Sequence, residues 1–487
     1  MGRIGILITL LFYCSLNLFS QQEYDYRKID SITYKAYLTG AYDTLISTGK
    51  KAIKSDIDYY YLRQRIGIAY FKKNNFRAAS RQFEAAAQFN PENTITQNYL
   101  YYSFLYSGQF PEASYFADKL NANMREMSGI PKQGVFRSVV IETGPEFSDN
   151  FKVNEFGRLP GGQELQYQDL YGNRYYTSLG LSLQLSPRLN LNAAFKNLII
   201  DKKTSIQYAR YSPDSIVQHE WGFSKYFPEK PGIESSEYDY RLVQNSAYLR
   251  SGLYLGKGWS VAPAIHYIHF NTKKVVIQNN SRSVQDTAYY IASSDSVSYF
   301  QYELIDLQLS AQDYRDDLFV ISLGINKRVS VFDLGMFGSW SNMYGRSQYQ
   351  YGIKVAYFPL GNLWLYGITG VKGLTDKGDT RIIVDQIVGG RLTGFLWAEA
   401  FGAFGNLKGT NESDAFLVYN ITDDINLKAG MNLIFVISPK VRLTLRYQYL
   451  QKTGFRYTYG QGNNPGEKVQ DIDYTNQSII GGIKWTF

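Results

Sequence analysis

Apolar and polar residues alternate along most of the chain from about residue 135 to its end. In 425–435, Ile, Leu, Ala, Met, Leu and Phe occupy every second position, and 179–185 and 441–449 repeat the pattern. Successive side chains of a β-strand point to opposite faces, so each run predicts a strand with one face in an apolar medium and one in water. Strands of soluble sandwiches are shorter, about five or six residues. The pattern therefore favours a sheet that spans a membrane.

The residues between the predicted strands indicate on which side of the membrane each connection lies. Tight turns are predicted on one side, at 186–188, 256–258, 359–362 and 438–440. Long polar connections are expected on the other side, near 143–173, 203–240, 276–315 and 454–474. This asymmetry is typical of transmembrane β-barrels, whose short turns face the periplasm. We expect an antiparallel barrel of about 14 strands, with 12 or 16 as alternatives and 381–406 as either one long strand or a hairpin.

A different and longer period covers 26–127. Its clearest copy lies between Asp58 and Asn93 and carries Gly67, Tyr70, Ala79, Phe83, Ala86 and Pro91. Gly40, Asn74 and Gly108 recur at even spacing, where a turn needs a positive φ, and Tyr42, Phe76 and Phe110 recur with them. The copy resembles the tetratricopeptide repeat, a pair of antiparallel helices of about 34 residues. We predict three repeats, at about 26–59, 60–93 and 94–127.

Stacked repeats of this kind form a curved array whose first helices line a concave groove. The residues expected in that groove are Tyr61, Gln64, Ile68, Phe71, Tyr102 and Leu105. One interpretation makes the groove a binding site for a partner protein or a polymer. The other is that these side chains pack on the barrel or complete the stack.

The first twenty residues have the features of a secretory signal peptide. Arg3 precedes the short apolar stretch 4–12, and 18–20 offers a cleavage site that leaves Gln21 as the new N-terminus. A lipoprotein anchored through Cys14 and a retained membrane anchor are the alternatives. The expected domains are a signal peptide at 1–20, a periplasmic repeat domain at 21–127, a linker at 128–134 and a barrel at 135–487.

The last strand carries the most specific signal. Ile479, Ile483, Trp485 and Phe487 alternate with small or polar residues up to the end of the sequence. This end resembles the terminal strand that the barrel-assembly machinery recognises in outer-membrane proteins. The resemblance implies a recognition role for Ile483, Trp485 and Phe487, and a chance aromatic end on an edge strand is the alternative.

Few residues suggest covalent or metal chemistry. The single cysteine, Cys14, lies in the predicted signal peptide, so we expect a mature protein without disulfides or thiol chemistry. His219 falls in a long connection, and His266 and His269 lie on opposite faces of one strand because their spacing is odd. We expect no enzyme activity, no catalytic residues, no metal and no cofactor.

Composition narrows the class of protein further. Tyr and Phe raise the aromatic fraction to 16%, which suits a barrel but also a soluble all-β protein. Beyond residue 20 no run of about 18 apolar residues occurs, which argues against membrane-spanning helices. The net charge of +8 suggests affinity for anions. Nucleic acid is excluded as a partner because the chain is predicted to be exported.

Several polar positions of the predicted strands are basic. These candidate lumen-lining residues are Arg137, Lys196, Arg250, Lys354, Lys428, Arg442, Arg446 and Lys484, with Asp333 as the clearest acid among them. A positive lumen favours anionic solutes or an anionic polymer. The alternative, which we prefer, is that these cations pair with loop carboxylates and that inward loops fill a closed barrel.

The architecture as a whole is α+β and multidomain, an N-terminal tetratricopeptide solenoid followed by a C-terminal antiparallel transmembrane β-barrel. It resembles tetratricopeptide-containing outer-membrane barrels, both the poly-N-acetylglucosamine exporters and smaller barrels common in Bacteroidota. The junction 20–22 and the segments 397–406 and 418–420 are similar to the latter. The exporters have a longer repeat array and a larger barrel, so this chain departs from them.

Two functions follow from this resemblance. In the first, the chain is an envelope assembly or secretion accessory in the outer membrane whose periplasmic repeats recruit a partner protein. In the second, it is an export channel for an anionic polymer or polysaccharide that the repeats guide. Either function implies contact with outer-membrane lipid and lipopolysaccharide and with the barrel-assembly machinery. We prefer the first because three repeats are few for guiding a polymer.

Overall fold

The computed structural model describes residues 25–132, 134–157, 163–210, 213–218, 224–228, 232–280, 282–291, 296–304, 306–460 and 467–487. The predicted signal peptide at 1–20 and His219 lie outside these residues. The chain divides into two compact units. A helical unit ends at Gln133 and includes Phe358–Leu363, and a barrel unit comprises Gly134–Tyr357 and Trp364–Phe487.

The helical unit contains three successive pairs of helices. The helices are α1 (Tyr26–Leu38), α2 (Tyr42–Lys54), α3 (Tyr60–Lys72), α4 (Phe76–Phe89), α5 (Thr94–Tyr106), α6 (Phe110–Lys119) and the short α7 (Ala122–Met127). The first helices of the pairs begin at Tyr26, Tyr60 and Thr94, so their starts are evenly spaced along the chain. The second helices recur at the same spacing. None of the described helices is long and apolar enough to cross a membrane.

The turns inside the pairs have the backbone that the sequence predicted. Gly40, Asn74 and Gly108 have φ angles of 70°, 59° and 75°, which confirms the expected positive φ. At the second of these turns, an asparagine side chain then caps the next helix. Asn75 Oδ1 accepts a hydrogen bond from the Ala78 N–H (3.0 Å), because the first N–H groups of a helix have no partner within it.

The core of the second helix pair depends on one close approach. Phe83 on α4 is fully buried, and its ring lies against Gly67 on α3. A Cβ atom added at Gly67 would be only 2.7 Å from that ring. Ala79 and Ala86 are also fully buried. Small residues at these positions therefore let the two helices pack directly on each other.

The helical unit also holds the segment Phe358–Leu363. The buried guanidinium of Arg77 lies 3.8 Å from the centre of the Phe358 ring, and the Arg77 N–H donates to the Gly361 carbonyl (2.9 Å). Asn362 donates to the carbonyl of Asn74 (2.8 Å). A segment predicted only as a tight turn thus belongs, by its contacts, to the helical unit.

Fourteen strands form the closed antiparallel barrel. They are β1 (Phe136–Ser148), β2 (Gln163–Ser186), β3 (Leu189–Arg210), β6 (Gly232–Gly256), β7 (Trp259–Asn279), β10 (Leu307–Val329), β11 (Phe332–Ser341), β12 (Gln348–Tyr357), β13 (Leu365–Asp376), β14 (Asp379–Arg391), β15 (Leu396–Phe404), β18 (Asp424–Val436), β19 (Val441–Gly460) and β20 (Glu467–Thr486). Neighbours in this order pair with each other, and β1 pairs with β20 to close the sheet. The expected count of 14 is confirmed.

Among the residues that the structure describes, three small hairpins lie outside the barrel sheet. They pair β4 (Pro213–Gln218) with β5 (Ser224–Pro228), β8 (Arg282–Ile291) with β9 (Ser296–Leu304), and β16 (Asn411–Glu412) with β17 (Leu417–Val418). A four-residue helix, α8 (Asn150–Val153), follows β1. For residues 381–406 the sequence allowed either one long strand or a hairpin. The structure shows the hairpin β14–β15.

The two ends of the barrel differ. The hairpins β2–β3, β6–β7, β10–β11 and β18–β19 all turn within a few residues at one end, here called the turn end. At the other end, the loop end, the strands extend farther than expected. The expected connections 143–173 and 203–240 were too wide, because β1 continues to Ser148, β2 begins at Gln163 and β3 runs to Arg210. Cross-strand pairing overrides the polar composition there.

A large part of the outer surface of the barrel is apolar. Leu179 and Phe195 are 52% and 55% exposed, whereas the adjacent Ser178 and Lys196 are buried on the inner side. The alternation breaks once in β18, where the register shifts between Ile425 and Leu427. Because a one-residue shift exchanges the two faces of a strand, Ile425 is buried with residues of the inner cluster rather than exposed outside.

Candidate functional site

The connection between β15 and β18, residues 405–423, folds into the barrel and is here called the plug segment. It bonds to inward-facing side chains on β3, β6 and β7 and, across the lumen, on β12, β13 and β18. These strands lie on opposite sides of the closed sheet. The plug segment therefore obstructs the middle of the lumen.

Glu412 of the plug segment has three polar partners. Its carboxylate accepts hydrogen bonds from Lys428 Nζ (2.5 Å), Lys372 Nζ (3.3 Å) and the Tyr419 hydroxyl (3.2 Å). Lys372 is buried and also lies 3.6 Å from Asp385. A buried carboxylate is stable as an anion only with such partners. Glu412, Lys372 and Lys428 are here called the Glu412 cluster.

A second set of contacts holds the tip of the plug segment. Arg250 Nε donates to Asp414 Oδ2 (2.7 Å), and the Tyr248 hydroxyl donates to the Asp414 carbonyl (3.1 Å). His266 Nδ1 donates to the Ala415 carbonyl (2.8 Å). The Lys196 ammonium donates to the Phe416 carbonyl and lies 3.3 Å from the centre of that residue's ring.

The tip itself has an uncommon backbone. Ser413, Asp414 and Ala415 have φ angles of 54°, 57° and 66° in succession. Each left-handed residue other than glycine costs roughly 1–2 kcal/mol because Cβ crowds the following carbonyl. The bonds to Arg250 and His266 thus hold a strained turn in place.

The remainder of the plug segment binds toward the loop end. Tyr344 and Tyr474 donate from their hydroxyls to the Ile421 carbonyl and to Asp423 Oδ2, both at 2.6 Å. Leu407 and Ile421 join a buried apolar cluster with wall residues such as Ile200. Polar bonds and apolar packing both fix the segment.

A cavity of about 380 Å³ lies beside the plug segment in the lumen. Lys196, Lys354, Lys428 and Arg446 are among its lining residues, and all four belong to the basic set predicted from the sequence. Lys196 and Lys428 bind the plug segment, as described above. Arg446 donates to Asn432 (2.9 Å) and lies 3.6 Å from Glu142.

The other predicted lumen residues lie nearer the turn end. Arg442 and Lys484 are directly paired across β19 and β20, and neither has a carboxylate within 4.0 Å among the described residues. The Arg137 carbonyl accepts from the Phe487 N–H (3.1 Å). Asp333 lies 3.4 Å from Arg328. Arg250 binds Asp414 of the plug segment.

The lumen contains more acids than the sequence suggested. Inward-facing carboxylates beyond Asp333 and the plug segment include Glu142, Glu146, Asp385 and Glu399. Each lies on a strand at a polar position, such as Glu142 beside the exposed Ile141. Strict application of the period-two rule would have found them. The lumen is therefore mixed in charge rather than uniformly positive.

The histidines are separated as the odd spacing predicted. His266 is buried and bonds to the plug segment, whereas His269 is on the outer face and binds Asp317 (2.9 Å). In the part of the chain that the structure describes, no group of three His, Cys, Asp or Glu side chains is placed to hold a metal ion.

The predicted groove residues of the helical unit differ in accessibility. Tyr61 is 58% exposed, and the Arg65 guanidinium lies between its ring (5.9 Å) and that of Tyr34 (5.0 Å). Ile68 was wrongly assigned to the groove, because it is only 7% exposed and packs in the helical core. It shares that core with Leu100 and Phe104 of α5.

The remaining groove residues are half-buried. Gln64 donates to the Tyr60 hydroxyl (2.9 Å). Phe71 and Tyr102 both contact the exposed ring of Tyr106, at 6.1 and 5.7 Å between centroids, and Leu105 lies next to Tyr106 on α5. An aromatic surface thus continues from α3 to α5.

The C-terminal residues are on the outside of the barrel. Ile483, Trp485 and Phe487 are all exposed at the turn end, and the Phe487 ring lies 6.5 Å from that of Phe136. β20 is paired with β19 along its length and with β1 from Asn476 to Thr486. Recognition of these residues by the barrel-assembly machinery stays a prediction.

Comparison with solved structures finds distant likenesses to other barrels. A Pseudomonas aeruginosa FadL homologue is 11% identical, with 72% of this chain and 90% of that chain covered and a TM-score of 0.38. The translocator domain of the autotransporter NalP from Neisseria meningitidis is 10% identical, with 79% and 99% covered and a TM-score of 0.31. The toluene transporter TbuX of Ralstonia pickettii is 10% identical, with 73% and 90% covered and a TM-score of 0.29. No protein-family model and no curated protein matches the chain.

Proposed function

We propose that this chain is an outer-membrane protein that acts as an envelope assembly or secretion accessory. Support for the location comes from the closed sheet, whose outer face carries many exposed apolar side chains while its inner face is largely polar. A closed barrel leaves no unpaired strand edge, which is the condition for crossing a bilayer. We assign the turn end to the periplasm because transmembrane barrels have their short turns on that side.

The plug segment is the observation that favours an accessory over an open pore. Ion pairs, hydrogen bonds and apolar packing join it to strands around the lumen. A barrel obstructed in this way serves first as a membrane anchor. The activity is then expected to reside in the helical unit.

We infer that the helical unit is a tetratricopeptide array that binds a periplasmic protein. The even spacing of the helix starts supports the repeat, and exposed aromatic rings on the first helices support the binding surface. Tyr34, Tyr61 and Tyr106 are all exposed there. Tyrosine and arginine are enriched at protein interfaces because they combine large apolar area with hydrogen bonding.

Site-specific crosslinking in cells tests this proposal. A photoreactive residue in place of Tyr61 or Tyr106 should crosslink to one periplasmic protein, and Tyr61→Ala should abolish its co-purification. The matched control is Phe89, an equally exposed aromatic residue on the second helix of its pair. Equal crosslinking from Phe89, or none from either tyrosine, would sink the proposal.

A channel for an anionic polymer is the second candidate. Arg442 and Lys484 favour it, because they form an adjacent pair of cations at the turn end without a carboxylate nearby among the described residues. Measuring the conductance of the refolded protein in a planar bilayer distinguishes between the channel and the accessory. A stable anion-selective current that weakens in Arg442→Ser/Arg446→Ser would support the channel, and a silent, folded barrel would support the accessory.

A further inference from the structure

The cavity beside the plug segment combines two kinds of surface. Among its lining residues are the cations Lys354 and Arg446 and the apolar side chains of Phe337, Ile387 and Phe401. Its volume of about 380 Å³ is within the usual range for small-molecule sites. All of these residues belong to the barrel unit.

The carboxylates that line the cavity already have cationic partners. Glu146 lies 3.3 Å from Arg174, Asp385 3.6 Å from Lys372, Glu412 2.5 Å from Lys428, and Asp414 2.7 Å from Arg250. The negative charges of the cavity are therefore compensated by the protein itself.

Lys354 is different. Among the described residues it has no carboxylate within 4.0 Å and no side-chain hydrogen bond, although Asp385 lies on the next strand but one. It is four residues closer to the turn end than Gln350, which is bonded to Asn411 of the plug segment. On its strand, Lys354 therefore lies on the turn-end side of this contact with the plug segment.

Two glycines make room for aromatic rings on the cavity wall. A Cβ atom added at Gly352 would be 2.8 Å from the Phe337 ring, and one added at Gly430 would be 2.3 Å from the Phe401 ring. Each ring thus lies beside the glycine of a neighbouring strand. Gly352 is two residues from Lys354 on the same face of β12, so an apolar surface adjoins the ammonium group.

We propose that this cavity binds a small organic anion with an apolar body. Its carboxylate bonds to the Lys354 ammonium, and its hydrocarbon part contacts Phe337 and Phe401. An ammonium ion is stabilised by a carboxylate through a charge-assisted hydrogen bond, and the rings favour ligands that bury apolar area. The site does not involve the helical unit, so it stands independently of the proposed function.

Equilibrium dialysis with radiolabelled octanoate tests this assignment. The full chain is placed in phosphatidylcholine nanodiscs, and binding to empty discs is subtracted. We expect saturable binding by the wild type, unchanged affinity in Lys354→Arg, and a loss of about tenfold or more in Lys354→Met, the size of one charged hydrogen bond. Lys440→Met, which removes a lysine from the turn between β18 and β19, should bind like the wild type.

Neutral and cationic analogues make the test independent of any variant's folding. Octanol and octyltrimethylammonium should compete at least about tenfold more weakly than unlabelled octanoate for the wild-type protein. The proposal is overturned if either competes as well as octanoate. It is also overturned if the wild type shows no saturable binding, or if a folded Lys354→Met retains full affinity.

Discussion

At the scale of single residues, the plug segment concentrates two unfavourable features that its neighbours compensate. Three successive residues with positive φ strain its tip, and Glu412 is removed from water. Hydrogen bonds from Arg250 and His266 stabilise the strained tip. The ammonium groups of Lys372 and Lys428 compensate the charge of Glu412. Strain and buried charge of this kind cluster at functional positions in proteins.

Substitution of Glu412 tests the role of the Glu412 cluster. Glu412→Gln leaves Lys372 and Lys428 without their shared carboxylate, and breaking a buried ion pair costs about 3–5 kcal/mol. We expect faster amide hydrogen exchange in the plug segment and conductance that the wild type lacks. Asp313→Asn is the control, because its pair with Lys273 (2.5 Å) is exposed and contributes little. Unchanged exchange in Glu412→Gln would contradict this role.

Relief of the strained turn should stabilise the barrel. Ser413 is exposed and its side chain makes no hydrogen bond to any residue that the structure describes, so Ser413→Gly removes the Cβ crowding at φ 54° and little else. We expect the free energy of unfolding in urea to rise by about 1 kcal/mol. Ser413→Ala keeps the Cβ atom and should show no gain. Equal stability of the two variants would mean that the turn is not strained.

At the scale of elements, helix pairs and strands depend on different sequence signals. The helix pair α3–α4 requires a residue without a side chain at Gly67, because the Phe83 ring occupies that space. Most strand positions require only alternation. Gly352 and Gly430, which lie beside aromatic rings, are exceptions. Helix positions in this chain are therefore individually restrictive, whereas most strand positions are not.

Gly67→Ala should destabilise the helical unit. The new Cβ atom would be 2.7 Å from the Phe83 ring, and overpacking of a core costs about 1–3 kcal/mol. The measurement is thermal loss of the helical circular dichroism signal, with the barrel signal as internal reference. Phe83→Leu in the same chain should restore part of the loss, because the two residues are in contact. An additive double variant would show that the clash is not the cause.

The alternation of residues shows which charged side chains point into the lumen, and the overall composition does not. Lys354, Glu142 and Asp385 all lie at polar positions of alternating runs, and the sequence could place them on the inner face. It could not show that Glu142 pairs with Arg446, which is about three hundred residues away, or that Lys354 has no such partner among the described residues.

At the scale of the whole molecule, two units with separate cores share one chain. The barrel closes only when β20 pairs with β1, which joins the two ends of a sheet more than three hundred residues long. Assembly therefore depends on the last strand. The exposed Ile483, Trp485 and Phe487 are available to a recognition factor at that point.

Deletion of Phe487 should impair assembly of the barrel in cells without reducing the stability of the folded barrel. We expect much less folded barrel in the outer membrane of cells, measured as the heat-modifiable band on a gel, with normal refolding of the purified chain in detergent. Phe136→Ser is the control, because it removes an equally exposed ring 6.5 Å away without altering the terminal strand. Equal losses in cells and in detergent would indicate a purely structural role.

The sequence by itself determined the large features of this protein. Period-two alternation predicted the strands and their count, the longer recurrence over 26–127 marked the starts of the helices, and Gly40, Asn74 and Gly108 marked the turns between them. These features are local, because side-chain direction and turn geometry depend on neighbouring residues. The bulge at Ile425 escaped the same reasoning, because an extra residue becomes visible only against the paired strand.

Only the tertiary structure decided what the lumen contains. The segment 405–423 has no regular period, and its path is set by Asp414, Ala415 and Phe416 meeting strands that are distant in sequence. The burial of Ile68 and the place of Phe358–Leu363 in the helical unit are of the same kind. Such contacts depend on how elements meet after folding, and the energies that select them are non-local.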